Sequence, residues 1–394
     1  MKSRRICIMF SAAALLVFLS GLSSPAQPRT VVDMRGVGVA LPADIQRVAT
    51  IDDGFVEGVM THLGVIGRVV AIGSWGMKRD FVYTFETRSG ERYMHRGWNT
   101  MKFLHPWLNN LPCVTAPQGY AVNFETLAAA GPDLVIIRAG DCTVNGREEG
   151  KVARTIETIE AMGIPLIVLF APKGADISTI REEMAVLGEV FGQREKAVAL
   201  AEYLAGTKAL IRARTAGIPD QEKPRLLYLG LNPDIRKKGG AGLVYGVNTP
   251  ESYIIESIAH AKNAFSGQGS GVTMSPEQIY ALDPDAVVLP TSNGYHPPRE
   301  LYEAPYYAAL SELRCVKEKR VYAMPWTPMN CARRVEYPLD MLIIAKAAYP
   351  ERFADLSVYA FALDFYQKVY NVDEATAKGL RSTQLLDWMA ESGF

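Results

Sequence analysis

The sequence predicts an α/β protein of two similar lobes with parallel sheets, joined by one long helix. Three observations predict it. A unit occurs twice, about 150 residues apart. Asn123 to Ile137 reads NFETLAAAGPDLVII, and Ser275 to Leu289 reads SPEQIYALDPDAVVL. The spacing from Glu125 to Asp133 recurs from Glu277 to Asp285, so two lobes are expected, with a cleft between them. Around both copies, short apolar runs alternate with helical-period stretches, the pattern of a parallel sheet. Between the copies no Gly-Ser or Pro-rich linker appears. Arg194 to Arg214 reads there as a single helix, a stiff spine.

In order, Arg47 to Ile51 and Val69 to Ile72 read as buried strands. Phe55, Val56, Val59, Met60 and Leu63 have helical spacing between them. Ser74 to Gln118 reads as irregular and aromatic-rich. The first repeat then predicts a helix over Phe124 to Ala130, a break at Gly131-Pro132 and a strand over Leu134 to Ile137. Arg154 to Met162 is a predicted helix and Ile164 to Phe170 a strand. Asp176 and Ser178 are N-cap candidates for a helix over Ile180 to Val190. The long helix carries the stripe Ala197, Leu200, Ala201, Leu204, Lys208 and Ile211, and Gly217 and Pro219 stop it. In the second half, Arg225 to Leu229 is a strand and Gly239 to Tyr245 a Gly-rich turn. Glu251 to Ala261 is a helix and Gly267 to Gly271 a flexible loop. The second repeat follows, then a strand over Arg320 to Met324, a helix over Leu339 to Ala348 and a helical tail. The expected division is a leader over 1–26, a lobe over 29–190, the linking helix over 191–217 and a lobe over 218–394.

The chain has 394 residues, 48% hydrophobic and 21% charged, as a globular protein has. Its formal charge is zero, so no basic field argues for nucleic acid. Lys2, Arg4 and Arg5 precede an apolar stretch from Ile6 to Leu19 and a small-residue stretch ending in Ser-Pro-Ala at Ala26. This is the pattern of a cleavable secretory signal, too short for a membrane span. Ser3-Arg4-Arg5 faintly resembles a twin-arginine signal, but the strongly apolar stretch favours ordinary secretion. Cys7 lies inside that stretch and no Cys follows at the cleavage site, so no lipid anchor is expected. Removing the leader leaves the chain about three units negative. Of the remaining Cys113, Cys142, Cys315 and Cys331, the first two flank the first repeat and are a candidate disulfide in an oxidising compartment. Cys315 and Cys331 flank one predicted strand, a separation that opposes a bridge. No C-x-x-C pair indicates zinc.

The order of the motifs carries a resemblance. The lobe with N-x-E…P-D-L-V-I is followed by the long helix and the lobe with S-x-E-Q…D-P-D-x-V-V-L. Then come VKEKRVYAMPW (Val316 to Trp326) and AKAAYPERF (Ala345 to Phe353). From about Arg47 to Phe353 the chain resembles the helical-backbone (class III) periplasmic substrate-binding proteins of ABC importers for ferric siderophores, haem and cobalamin. The resemblance implies two Rossmann-like lobes on one long rigid helix with the ligand in the cleft, no enzymatic activity and no intrinsic cofactor. It implies a monomer in the periplasm that delivers a small-molecule metal chelate to a permease dimer. Glu125 and Glu277 are the positions that match the permease-docking glutamates of the family. Two charges on two similar lobes suit a symmetric partner. The bland alternative is that each Glu only favours the first turn of its helix.

Ligands of open parallel sheets bind beyond the carboxyl ends of the strands. That rule selects Trp75, Tyr120, Arg138, Tyr245, Tyr295, Trp326, Arg333 and Arg334 as ligand contacts, with Ser74, Asn232 and His296 in the same loops. Nine aromatic residues fall within the 46 residues from Trp75 to Tyr120, and Arg96 and Trp98 among them join the candidate set. Aromatic faces suit flat chelates and arginine forks suit carboxylates and catecholates. The bland readings are a loop that makes its own small core from these rings, and arginines that are merely solvated. A ferric siderophore is the expected ligand, with haem or a corrinoid as the alternative and a chelatase-like enzyme a third reading. No bare-metal site is expected, because the five histidines form no ligand motif. His62 and His260 read as structural; His95, His105 or His296 offers an axial ligand for haem or cobalt, but lone loop histidines are usually just exposed. No G-x-S-x-G or Walker motif is present. Asp52-Asp53 and Glu148-Glu149 read as surface charge.

Overall fold

The computed structural model describes residues 29–116, 121–140, 144, 149–174, 176–290, 296–325 and 333–394, without the side chains of Trp98 and Glu149. The leader lies outside the described residues.

In the first lobe, β1 (Arg29–Val32) and β2 (Gly38–Leu41) form an antiparallel ribbon. After β3 (Val48–Ile51), the helix Phe55–Leu63 buries the five apolar residues read from its periodicity. Next come β4 (Val69–Ala71), β5 (Asp80–Glu86), β6 (Arg92–Trp98), β7 (Leu134–Ala139) and β8 (Leu166–Phe170). The sheet order is β4-β3-β7-β8, all parallel. The segment expected to be irregular departs from expectation, because β5 and β6 pair as an antiparallel hairpin. Tyr83 and Phe85 are buried while Val82, Thr84 and Glu86 are exposed, an alternation of period two. A short helix, Thr100–Leu104, follows the hairpin.

The helix Ile180–Val190 starts without either predicted cap, since Asp176 accepts from the nearby N–H of Ser178 at 3.1 Å instead. The linking helix spans Arg194–Thr215. Its stripe is completed by buried Thr207, which removes the polar interruption. Lys208 turns aside, with Nζ 3.3 Å from the Tyr253 hydroxyl.

The second lobe contains β9 (Arg225–Gly230), β10 (Gly242–Tyr245), β11 (Lys262–Asn263), β12 (Ser270–Met274), β13 (Ala286–Leu289) and β14 (Val321–Ala323). Strands β9, β13 and β14 are parallel, like β3, β7 and β8. The Gly-rich turn and the flexible loop of the expectation are instead parts of β10 and β12. These run antiparallel, so this sheet is mixed. Gly242 is needed there, because a Cβ would stand 2.6 Å from Leu229 Cδ1 across the strand pair. Cys315 sits in the short helix Arg314–Lys317 ahead of β14, and Cys331 lies outside the described residues. The tail helices Val358–Tyr370 and Glu374–Thr383 return to the first lobe, where His62 Nδ1 lies 2.8 Å from the Val369 carbonyl.

The repeat has a structural cause. Asn123 Oδ1 accepts from Thr126 N at 2.9 Å. Ser275 Oγ accepts from Gln278 N at 3.3 Å, and the Gln278 side chain returns the bond in a capping box. Gly131 and Asp283 end the two helices in left-handed conformations. Asp133 then accepts from the N–H groups of Gln46 and Arg47, at 2.8 and 3.1 Å, and Asp285 from that of Arg225 at 2.8 Å. Each aspartate thus pins the start of the neighbouring strand, setting the registers Val48 to Leu134 and Leu226 to Ala286.

Candidate ligand site

The carboxyl end of β3 runs into Asp52, Asp53 and Gly54. Gly54 has φ 102° and caps the helix Phe55–Leu63. A Cβ on Gly54 would stand 3.4 Å from Arg334, so its bare backbone also lets that guanidinium approach. Arg334 donates from Nε to the Asp53 carbonyl at 2.8 Å and from Nη2 to the Asp53 carboxylate. Ser74, at the end of β4, donates its hydroxyl to the same carboxylate. Burial pushes the Asp53 carboxyl up despite the Arg334 charge beside it. Arg333 has φ 44°, which sends its side chain away from that of its neighbour. Its Nη2 donates to the Gly174 carbonyl at 2.6 Å and its Nε to that of Asp176 at 2.8 Å, beyond the end of β8. Burial, and then the nearby Arg138 charge, lower the Arg333 pKa.

Arg138 leaves β7 within 4.1 Å of the Phe55 ring centroid. It pairs with Glu183, its Nη2 3.2 Å from Oε1, and its Nη1 stands 4.0 Å from Asp52. Arg138, Glu183 and Asp52 are fully buried. Both lobes therefore contribute guanidinium groups to one floor at the strand ends. Asp52 and Asp53 belong to it, which corrects their reading as surface charge. Sequence reasoning placed Ser74 in the cleft loops but missed Glu57 and Glu183, and the only available signal for these was an acidic pair at a strand end. Glu251 faces Arg333 from the second lobe, and burial raises its pKa to about 7.

Trp75 follows Ser74 and is exposed. Its Nε1 donates to the Thr115 carbonyl at 2.8 Å, which fixes the ring. Tyr245 lies on β10, with its ring edge-on to that of Tyr228 at 5.5 Å. Arg96 does not join the floor. It is exposed on β6 and lines a separate groove of ≈780 Å³ with Tyr93, Tyr302, Lys346 and Trp388. Tyr120, Tyr295, Trp326 and the side chain of Trp98 lie outside the described residues, as does Cys142 of the candidate disulfide. Among the described residues Cys113 and Cys315 are free thiols.

The hairpin binds the second lobe. Tyr83 donates to Glu300 at 2.5 Å, Tyr306 donates to it at 2.8 Å, and His296 Nδ1 lies 2.8 Å from its other oxygen. His296 is 1% exposed, against the expectation of a solvated loop histidine. Arg299 lies over the Tyr93 ring at 4.0 Å. The rings of Tyr83 and Tyr93 thus build a contact between lobes, with Phe85 stacked on Tyr93 within the hairpin at 5.2 Å.

Glu125 and Glu277 are exposed in the first turns of the two matching helices. Glu277 accepts from Ser275 Oγ at 2.6 Å, which lowers its pKa. Among the described residues Glu125 has no hydrogen-bond or ion-pair partner. No group of three or more His, Cys, Asp or Glu among the described residues is placed to hold a metal ion. No described helix is long and apolar enough to cross a membrane.

The profile of the periplasmic binding protein family matches residues 97–327, more than half of the chain. The chain belongs to the periplasmic binding protein family. Proteins of this family serve ABC transporters by binding substrate, which implies association with a permease. An uncharacterized ABC transporter substrate-binding lipoprotein, YvrC of Bacillus subtilis (strain 168), is 26% identical over 238 residues, 59% of this chain and 67% of that protein. The molybdate-binding protein MolA of Haemophilus influenzae is 22% identical over 274 residues, 64% of this chain and 70% of that protein. A periplasmic solute binding protein from Veillonella parvula shares the fold with a TM-score of 0.70 at 22% identity, covering 93% of this chain and 100% of that one. The molybdate-bound structure of MolA gives 0.60 at 18% identity, covering 88% and 98%.

Proposed function

We propose that this periplasmic binding protein captures an anionic metal chelate, a ferric siderophore, and delivers it as a monomer to the permease dimer of an ABC importer. The reading is carried by Arg333, a buried guanidinium that meets Arg138 and Arg334, the two held by buried carboxylates, at the strand ends beside the fixed Trp75 ring. Guanidinium groups suit catecholate and carboxylate oxygens, and an indole face suits an aromatic chelate. Arg333 is the contact of choice for the anion, since burial and Arg138 disfavour its charge and an anion would relieve both. Export follows from the signal-like segment 1–26, and Glu125 and Glu277 are the docking charges. A second reading is a free oxyanion, supported by the molybdate that names the Haemophilus influenzae relative.

Calorimetric titration with a ferric catecholate siderophore, a ferric hydroxamate siderophore, haemin and molybdate tests both readings. Saturable binding of the ferric catecholate is expected, weakened about tenfold or more by Arg333→Ala, a loss of about 1.4 kcal/mol. Binding of molybdate or haemin with no response to either siderophore overturns the siderophore reading.

A further inference from the structure

Beneath the floor lies a pair of carboxyl groups that ligand binding does not explain. Asp52 and Glu57 are both 0% exposed. Asp52 Oδ2 accepts from the Val56 N–H at 2.7 Å, in the first turn of the helix Phe55–Leu63. Its Oδ1 has no hydrogen-bond partner, the Arg138 guanidinium standing off at 4.0 Å. Glu57 Oε1 accepts from the Thr50 hydroxyl, and its Oε2 likewise has no partner. Both groups sit at the start of the same helix, and burial, then the Asp52 charge, hold the Glu57 carboxyl well above the usual carboxylate range. Two adjacent carboxylates out of water do not both ionise, and a buried carboxylate oxygen without a donor is costly. One proton placed on Glu57 Oε2 and donated to Asp52 Oδ1 satisfies both orphaned atoms at once.

We propose that Asp52 and Glu57 share a single proton at neutral pH, and that this proton is a switch on the charge of the cleft floor. With it in place, and with Glu251 neutral below about pH 7, the described floor balances the guanidinium groups of Arg138, Arg333 and Arg334 against the carboxylates of Glu183, Asp53 and Asp52. Without it, a further buried negative charge appears under Arg138, and the floor turns anionic as the pH rises. The groups around the pair are accounted for on each side. Thr50 faces it from β3, Arg138 from β7 and Glu183 from the helix Ile180–Val190. Asp53, Ser74 and Arg334 meet at the helix start. Across Gly58 of the same helix stand Tyr370 and its acceptor Glu336. His62 closes the far end with the Val369 carbonyl, with Lys196 of the linking helix acting on it.

The test uses the unliganded protein and so stands apart from the identity of the cargo. Infrared difference spectra of wild type minus Glu57→Gln are expected to show, at about pH 7, one protonated-carboxyl stretching band in excess in the wild type, since the carboxyl of Glu251 is common to both proteins and cancels. The thermal midpoint of the wild type is expected to fall relative to that of Glu57→Gln by a few degrees between about pH 5 and about pH 9. Both proteins carry every other titrating group, so the difference reports this proton alone. Should Glu57→Gln fail to fold, Asp52→Asn removes the same shared proton and takes its place in both measurements. Absence of the band at pH 7, or parallel midpoints across the pH range, overturns the proposal.

Discussion

Arg138 and Arg334 have the residue types of ligand contacts, and their surroundings give them another task. Each holds a carboxylate out of water, Glu183 for Arg138 and Asp53 for Arg334. Arg334→Ala is expected to destabilise the fold by about 3 kcal/mol, because it strands the buried Asp53 charge. Urea unfolding measures the loss, and Arg334→Ala combined with Asp53→Asn is expected to recover part of it. Glu251 gives a pH dependence of fixed sign. Its folded pKa of about 7 exceeds the ordinary glutamate value of 4.5, so the folded state binds more protons across that window. The contribution of the neutral group is fully present below 4.5 and is lost as the pH rises through about 7. Glu251→Gln is expected to flatten that decline, by on the order of a few kcal/mol, in urea midpoints measured across the window. None of these partners was legible in the chain. Glu183 stands 45 residues from Arg138 and Arg334 stands 281 from Asp53, so adjacency in sequence carries no trace of the pairs.

Among the elements, the hairpin β5–β6 departs furthest from its sequence reading. Its aromatic residues were visible, but the segment was read as irregular and the alternation that makes them strand residues was missed. The task of that face was not visible either, because it depends on what the second lobe offers, namely the fully buried Glu300 with donors from both lobes. Tyr83→Phe removes one donor from a carboxylate that cannot reach water. It is expected to cost about 1–3 kcal/mol in thermal or urea unfolding, with little change of volume. Conversely, the helices and strands of the repeat were legible nearly to the residue, because caps, left-handed ends and Pro-Asp steps act within a few positions of themselves. Strands β10 and β12 were read as loops because of their glycines, of which Gly242 serves close strand approach that only the neighbouring strand reveals, while Gly271 takes a left-handed φ of 70° within β12.

At the scale of the whole molecule, the repeat separates two tasks. Its aspartates, Asp133 and Asp285, hold strand register in both lobes, and their replacement is a matter of folding. Its glutamates are exposed in both lobes, and neither is needed for that register. Charge reversal at both, Glu125→Lys with Glu277→Lys, is expected to leave thermal stability and ligand binding unchanged. Uptake through the permease is expected to fall at least about tenfold, as the loss of charge pairing at an interface predicts. Unchanged uptake in cells carrying the double variant refutes docking through these residues. The hairpin and the returning tail tie the lobes together in addition to the linking helix, so the cleft is framed by more than the spine read from the sequence. By itself the sequence determined the two lobes, the parallel strands, the long helix and the family, all set by local periodicity, capping and repetition. Only the tertiary structure decided which charges lie in the floor, how they neutralise one another and where one proton must reside. Those outcomes depend on distances between residues far apart in the chain and on the exclusion of water around them.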